Sequence, residues 1–171
     1  MEYFYICQDK RYKNPPHIQN FYDQYYPNLF CPEHHDKIKD KNVVYANSRQ
    51  PVEFIDLISG PVLLVSEAMY QVLLAYEDIT FKMFFILNVF TGQGEVYYAV
   101  IMEKTDCLRT EKINGEKRLI LKKEKIKEEK SLLKANKEEF RNGLIINMMV
   151  AESLLRRRLK GICYQRLEVV N

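Results

Sequence analysis

Two of the chain's three histidines and one of its four cysteines fall within seven residues, Phe30-Cys31-Pro32-Glu33-His34-His35-Asp36. Thiolate, imidazole and carboxylate are ligand types that zinc takes, so the stretch invites a metal reading. The spacing works against it. A structural zinc site needs a second ligand pair, commonly CxxC or HxxxH, and the sequence holds none. His34 and His35 are neighbours, so on an extended chain their side chains diverge. Neither a metal nor any other cofactor is expected. Cys31 beside His34 could also serve a small hydrolase or metal enzyme, and that alternative stays open. No oxyanion loop or nucleophile turn accompanies the pair, however. Cys163 follows Gly161-Ile162 in a run of strand formers, where a small buried residue is expected.

Other chemistry finds less support. Thr91-Gly92-Gln93-Gly94 has neither the Lys-Ser/Thr of a phosphate loop nor dinucleotide-loop spacing. The carboxylate pairs Glu128-Glu129 and Glu138-Glu139 sit in a charged stretch and read as solvated, whereas acid–base work wants them recessed. No catalytic residue is assigned, and the expectation is a protein that is not an enzyme.

The elements that would position such residues are readable in part. Residues 1–50 hold seven of the twelve tyrosines and prolines at 15, 16, 27 and 32, which forbid a continuous helix. They read as an irregular aromatic arm on a core formed by 51–171, within one domain. Val62–Val65 reads as a strand, and Ser66 as the N-cap of a helix over 66–77 with Met69, Val72, Leu73 and Tyr76 on one stripe. Residues 80–103 form a hairpin about two glycines. Asn114-Gly115 marks a turn before a strand at 118–122. Propensity alone predicts a helix near 122–139, although Ile126, Leu132, Leu133 and Ala135 make only a thin stripe. Residues 143–148 form a strand, Asn147 caps a helix over 148–159, and Gly161 closes it. Arg158 falls on that helix's apolar side, so the helix ends before it or the guanidinium finds a partner. Residues 162–170 return as a strand. The fold class is α+β, mostly antiparallel sheet with two main helices.

Composition and charge bound the partners. With 171 residues, 47% hydrophobic and 29% charged, the chain has the balance of a globular protein. The start, Met1 to Asn14, lacks a basic stretch followed by an apolar run, and no apolar run approaches the ~20 residues of a membrane span. A cytoplasmic protein with free thiols is expected, with no membrane partner. Residues 109–141 carry 12 Lys or Arg against 7 Asp or Glu, so this segment supplies +5 of a net +3. With Arg156–Arg158 it would serve a nucleic-acid-associated protein, the alternative function. Acids interleave the cations, and Phe140 is its one aromatic, so a solvated face is the plainer reading.

Three stretches carry a resemblance: 54–82 (FIDLISGPVLLVSEAMYQVLLAYEDITFK), 105–108 (TDCL) and 149–169 (MVAESLLRRRLKGICYQRLEV). They resemble a family of small bacterial proteins linked with polymorphic toxin systems, whose compact domain is the proposed immunity protein. The resemblance implies a non-enzymatic protein that neutralises a cognate toxin by contact. It also implies strands over 131–136 and 143–148 paired as a hairpin, in place of the helix that propensity suggests. Tyrosine buries ring area while its hydroxyl stays bonded, which suits a contact surface. The expected contacts are Tyr22, Tyr25 and Tyr26 of the arm, His34 and His35, and Arg156, Arg157 and Lys160 at the end of the last helix.

Overall fold

Two helices begin in the same way. In the computed structural model, which describes residues 1–126 and 130–170, Ser66 Oγ accepts from the Met69 N–H at 3.2 Å and Asn147 Oδ1 from Val150 at 3.0 Å. Each side chain satisfies an amide that the first turn leaves without a helical partner. Replacing either residue by alanine is expected to lower unfolding free energy by about 1 kcal/mol. Asn147 stands to lose more, because it is buried and its amide also donates to Ser131 Oγ. Urea denaturation of the two variants checks the order.

In the first half of the chain the elements are β1 (Tyr3–Gln8), α1 (Phe21–Gln24), β2 (Lys41–Ala46), β3 (Leu57–Ile58), β4 (Leu64–Ser66), α2 (Glu67–Leu74), β5 (Thr80–Asn88) and β6 (Gly94–Ile101). The second half adds β7 (Lys104–Thr105), β8 (Leu108–Ile113), β9 (Glu116–Lys122), β10 (Leu132–Ala135), β11 (Leu144–Asn147), α3 (Met148–Arg156), β12 (Ile162–Arg166) and β13 (Glu168–Val170). They form two five-stranded sheets, ordered β12-β1-β11-β10-β7 and β2-β5-β6-β4-β3, and a three-stranded sheet, β13-β9-β8. Most pairings are antiparallel; β2 with β5, β7 with β10 and β9 with β13 run parallel. The α+β class and its two main helices agree with the sequence, and strand dominates. Among the described residues no helix is long and apolar enough to cross a membrane.

The cores follow from register. Helices α2 and α3 bury Met69, Val72, Leu73, Val150, Ala151 and Leu154 against one face of each five-stranded sheet, where they meet Ile6, Leu144, Ile146, Val65 and Val100. The other face of the β1 sheet packs on the three-stranded sheet through Tyr5, Ile145, Leu133, Leu108 and Leu121. The other face of the β5 sheet, through Phe84 and Ile86, receives Ile18, Phe21, Phe30 and Ile38. Burying each such side chain contributes about 1.5–3 kcal/mol, which fixes the proline-rich stretch despite its few backbone bonds.

Several expectations need correction. Residues 1–50 are not irregular throughout. β1 lies inside a sheet between β11 and β12, and β2 pairs along its length with β5. The helix predicted near 122–139 does not form: 123–125 make a single 3-10 turn, and Leu132–Ala135 is a strand pairing with β11. That pairing, Leu132 with Ile146 and Leu133 with Ile145, is the hairpin the resemblance implied. Both helices are shorter than predicted, and α3 stops because the chain turns left-handed at Arg158, φ 53°. Arg158 is thereby exposed, which resolves its placement on the apolar side. Gly161, φ 78°, is the second left-handed residue of the loop and not the one that closes the helix.

One buried charge gives the fold a pH dependence. Lys134 is 6% exposed, and its Nζ donates to the Val100 carbonyl at 3.4 Å. Burial, helped by the nearby charge of Lys104, lowers its pKa to about 8. Between that value and the unfolded one near ~10.4, the unfolded chain holds the extra proton. Stability therefore rises as pH increases through this window and is lowest below it. Lys134→Met is expected to be more stable than wild type at neutral pH and to remove the rise. Urea titrations at about pH 7.5 and pH 9.5 measure both effects.

Candidate functional site

Strand β5 reads Thr-Phe-Lys-Met-Phe-Phe-Ile-Leu-Asn, apolar throughout its odd set and at Phe84 and Ile86 of its even set. Such a strand belongs between two covering layers. Its even set has one: Phe84 and Ile86 are buried under the aromatic arm. Its odd set is covered only at one end. Phe81 reaches α2 and packs edge-on to Tyr70, with ring centroids 4.8 Å apart. Met83, Phe85 and Leu87 are only partly buried and belong to none of the three cores.

Register extends this bare patch across three strands. On β6, Tyr98 stands opposite Met83, Val96 opposite Phe85 and Gly94 opposite Leu87. On β2, the outermost strand, Lys41, Val43 and Tyr45 stand beside Met83, Phe85 and Leu87. Val43 is 48% and Tyr45 45% exposed. Lys41 is the one charged side chain in these rows. Gly94 makes room for Phe85: a Cβ there would lie 2.4 Å from Phe85 Cζ, so the ring rests across the glycine. Tyr98 bounds the patch at the helix end, stacked on Tyr70 with centroids 4.0 Å and planes 11° apart. Its hydroxyl donates to Glu67 at 2.5 Å. That bond, with lesser help from burial, pushes the phenol up to about 12, so it stays a donor at neutral pH. Contiguous apolar surface rimmed by polar groups marks an interaction site in a soluble protein.

The residues singled out in the sequence do not converge. Tyr25 is a structural residue: its ring packs on Phe21 and Phe84, and its hydroxyl donates to Asn42 Oδ1 at 2.9 Å. Tyr22 and Tyr26 are exposed, on the arm side of the sheet and away from the bare face. Tyr22 donates to the Pro61 carbonyl and walls a cleft of about 760 Å³ with Asn14, Ile18 and Phe21. The cleft's ionisable residues, Lys13, His17 and Asp23, are all exposed. His34 is exposed, whereas His35 is half-buried and its Nδ1 is buried with no partner among the described residues. Cys31 Sγ donates to the Asn28 carbonyl. Among the described residues no three His, Cys, Asp or Glu side chains gather as a metal site. Arg156 pairs with Glu152 one turn back, and Arg157 donates to the Ser153 carbonyl. The Lys160 amide is held by Asp56, which also bonds Ser66 Oγ.

The basic segment is more compensated than its composition suggests. Arg109 pairs with Glu111, Arg118 with Glu168, Lys122 with Asp106 and Arg141 with Glu138, while Lys134 is buried. The carboxylate pair Glu128-Glu129 lies outside the described residues; Glu138 and Glu139 are exposed. Cys163 is exposed and not buried as its strand context suggested, because β12 is the outer strand of its sheet.

Sequence reasoning missed the bare face. The signal was present in β5, whose two apolar sets ask for two cover layers, but which set would lack one depends on contacts far along the chain. No protein-family model matches the chain, and no curated protein is similar to it.

Proposed function

We propose that this chain is a non-enzymatic binding protein of the immunity type, which neutralises a cognate toxin by seating it on the bare apolar face of the β2-β5-β6 strands. The observation that carries the reading is Val43, Tyr45, Met83, Phe85, Leu87 and Val96 on one face without a covering layer. Aromatic and aliphatic groups already lying on a rigid sheet lose little freedom on association, which is the economy that strong interfaces use. Phe85 at the centre and Tyr45 at the edge strand are aromatics of the kind enriched at interfaces. The resemblance of residues 54–82, 105–108 and 149–169 to polymorphic-toxin immunity proteins supplies the partner class. This moves the expected contact away from the arm, which covers the other side of the sheet, and from the α3 end to the strand rows beyond the helices.

The test is co-expression with the toxin domain encoded beside the gene, scored by survival of the producing cell and by co-purification. Protection together with a stoichiometric complex supports the reading. Unprotected cells and no complex at micromolar concentrations remove it.

A further inference from the structure

Register sets two cysteines opposite each other. In the antiparallel pairing of β1 with β12, Cys7 stands across from Cys163. Residues directly opposite point to the same face. Flanking bonds fix the type of pair: Leu167 donates its N–H to the Tyr3 carbonyl and Asp9 to Gly161, both at 2.9 Å. Positions 3, 5, 7 and 9 are therefore the hydrogen-bonded ones, with Cα atoms ~5.5 Å apart. That lies inside the ~4.4–6.8 Å range that a disulfide spans. The Cβ atoms of such a pair stand roughly 5 Å apart, against ~3.8 Å in a relaxed bridge, so closure asks the strands to give. Bridges closed under strain are the readily reduced kind.

The surroundings divide the work between the two thiols. Cys163 is exposed on the outer strand, where solvent and small molecules reach it. Cys7 is half-buried, and burial, then the neighbouring Cys163, pushes its thiol up. An accessible thiol suits attack on a small disulfide, and a shielded partner directly across the strand suits resolution.

We propose that Cys7 and Cys163 form a reversible redox site whose substrate is a low-molecular-weight disulfide. The Cys163 thiolate attacks one sulfur of the small disulfide, forming a mixed disulfide and expelling one small thiolate. Cys7, giving its proton to solvent, then attacks the Cys163 sulfur, closes the cross-strand bridge and expels the second small thiolate. The protein loses two electrons and two protons, and the small disulfide is reduced to two thiols. The bridge ties β1 to β12 and encloses nearly the whole chain between them.

The experiment equilibrates the full chain in buffers of increasing oxidised-to-reduced glutathione ratio, blocks remaining thiols by alkylation and maps them by mass spectrometry. Expected is a graded loss of two of the four thiols, a Cys7–Cys163 linked peptide and full recovery with dithiothreitol. Cys7→Ser should trap glutathione on Cys163, and Cys163→Ser should leave Cys7 unmodified. Cys31→Ser should bridge like wild type, and far-ultraviolet circular dichroism confirms that each variant is folded. Four alkylated thiols at the highest ratio would overturn the proposal. So would a glutathione adduct on wild-type Cys163 that never proceeds to the bridge, or a bridge that uses Cys31 or a second molecule.

Discussion

Gly161→Ala is expected to lower unfolding free energy by about 2–5 kcal/mol, a large share of a typical total of ~5–15 kcal/mol. Two effects add. An L-residue at φ 78° is strained by about 1–2 kcal/mol. The new Cβ would also lie 2.4 Å from Ile55 Cβ and 2.8 Å from its Cγ2. Ile55 is buried, and its Cβ is fixed to the backbone, so it cannot swing aside as a flexible chain end would. Overpacking of this kind adds about 1–3 kcal/mol. The loop cannot retreat either: the Lys160 carbonyl accepts from the Asp56 N–H at 2.8 Å, and the Gly161 carbonyl from Asp9. Gly92→Ala is the control, with φ 71° and nothing within 4 Å of the added carbon. It should show the conformational part alone, about 1–2 kcal/mol. Urea midpoints of the two variants decide the matter. Equal losses would mean that the Ile55 contact relaxes and contributes nothing.

What the sequence makes legible is what short-range chemistry dictates. The caps Ser66 and Asn147, the Asn114-Gly115 turn and the 80–103 hairpin all carry their signals within a few residues, and each is present. Asn114 and Gly115 both take positive φ, as a two-residue hairpin turn demands. The strands that short-range chemistry does not mark are those whose partners are remote. β1 is aromatic on both faces and sits in front of a proline-rich stretch, and only its pairing with β11 and β12 identifies it. β10 lies within a run of lysine and glutamate that favours helix, and cross-strand contact with Ile145 and Ile146 overrides that preference. The candidate surface has the same character. An exposed tyrosine in an irregular segment looks like a contact residue, yet Tyr25 is consumed by packing and hydrogen bonding. Val43 lies in the stretch read as an irregular arm, and only the pairing of β2 with β5 sets it on an exposed strand face beside Phe85.

Replacing Val43 and Tyr45 together by aspartate is expected to weaken the proposed toxin complex at least 100-fold, about 2.7 kcal/mol, while leaving the chain folded. Both side chains are nearly half exposed on the outermost strand, so folding loses about 1 kcal/mol or less, mostly strand preference. In the proposed complex the partner would enclose the same positions, and two carboxylates there would have to be desolvated without cations to receive them. Lys41 stands at the next position on the same face and can relieve part of that penalty in the free protein, which makes the binding defect the more selective readout. Loss of affinity by titration calorimetry with an unchanged urea midpoint places the interface on this face. Two companion variants separate it from the earlier candidates. Tyr22→Ala with Tyr26→Ala lies on the arm side of the sheet, and Arg156→Ala with Arg157→Ala at the end of α3; each should bind within about threefold of wild type, under 1 kcal/mol. A full-strength complex with the aspartate variant, and a weakened one with either companion, would return the contact to the arm or the helix end.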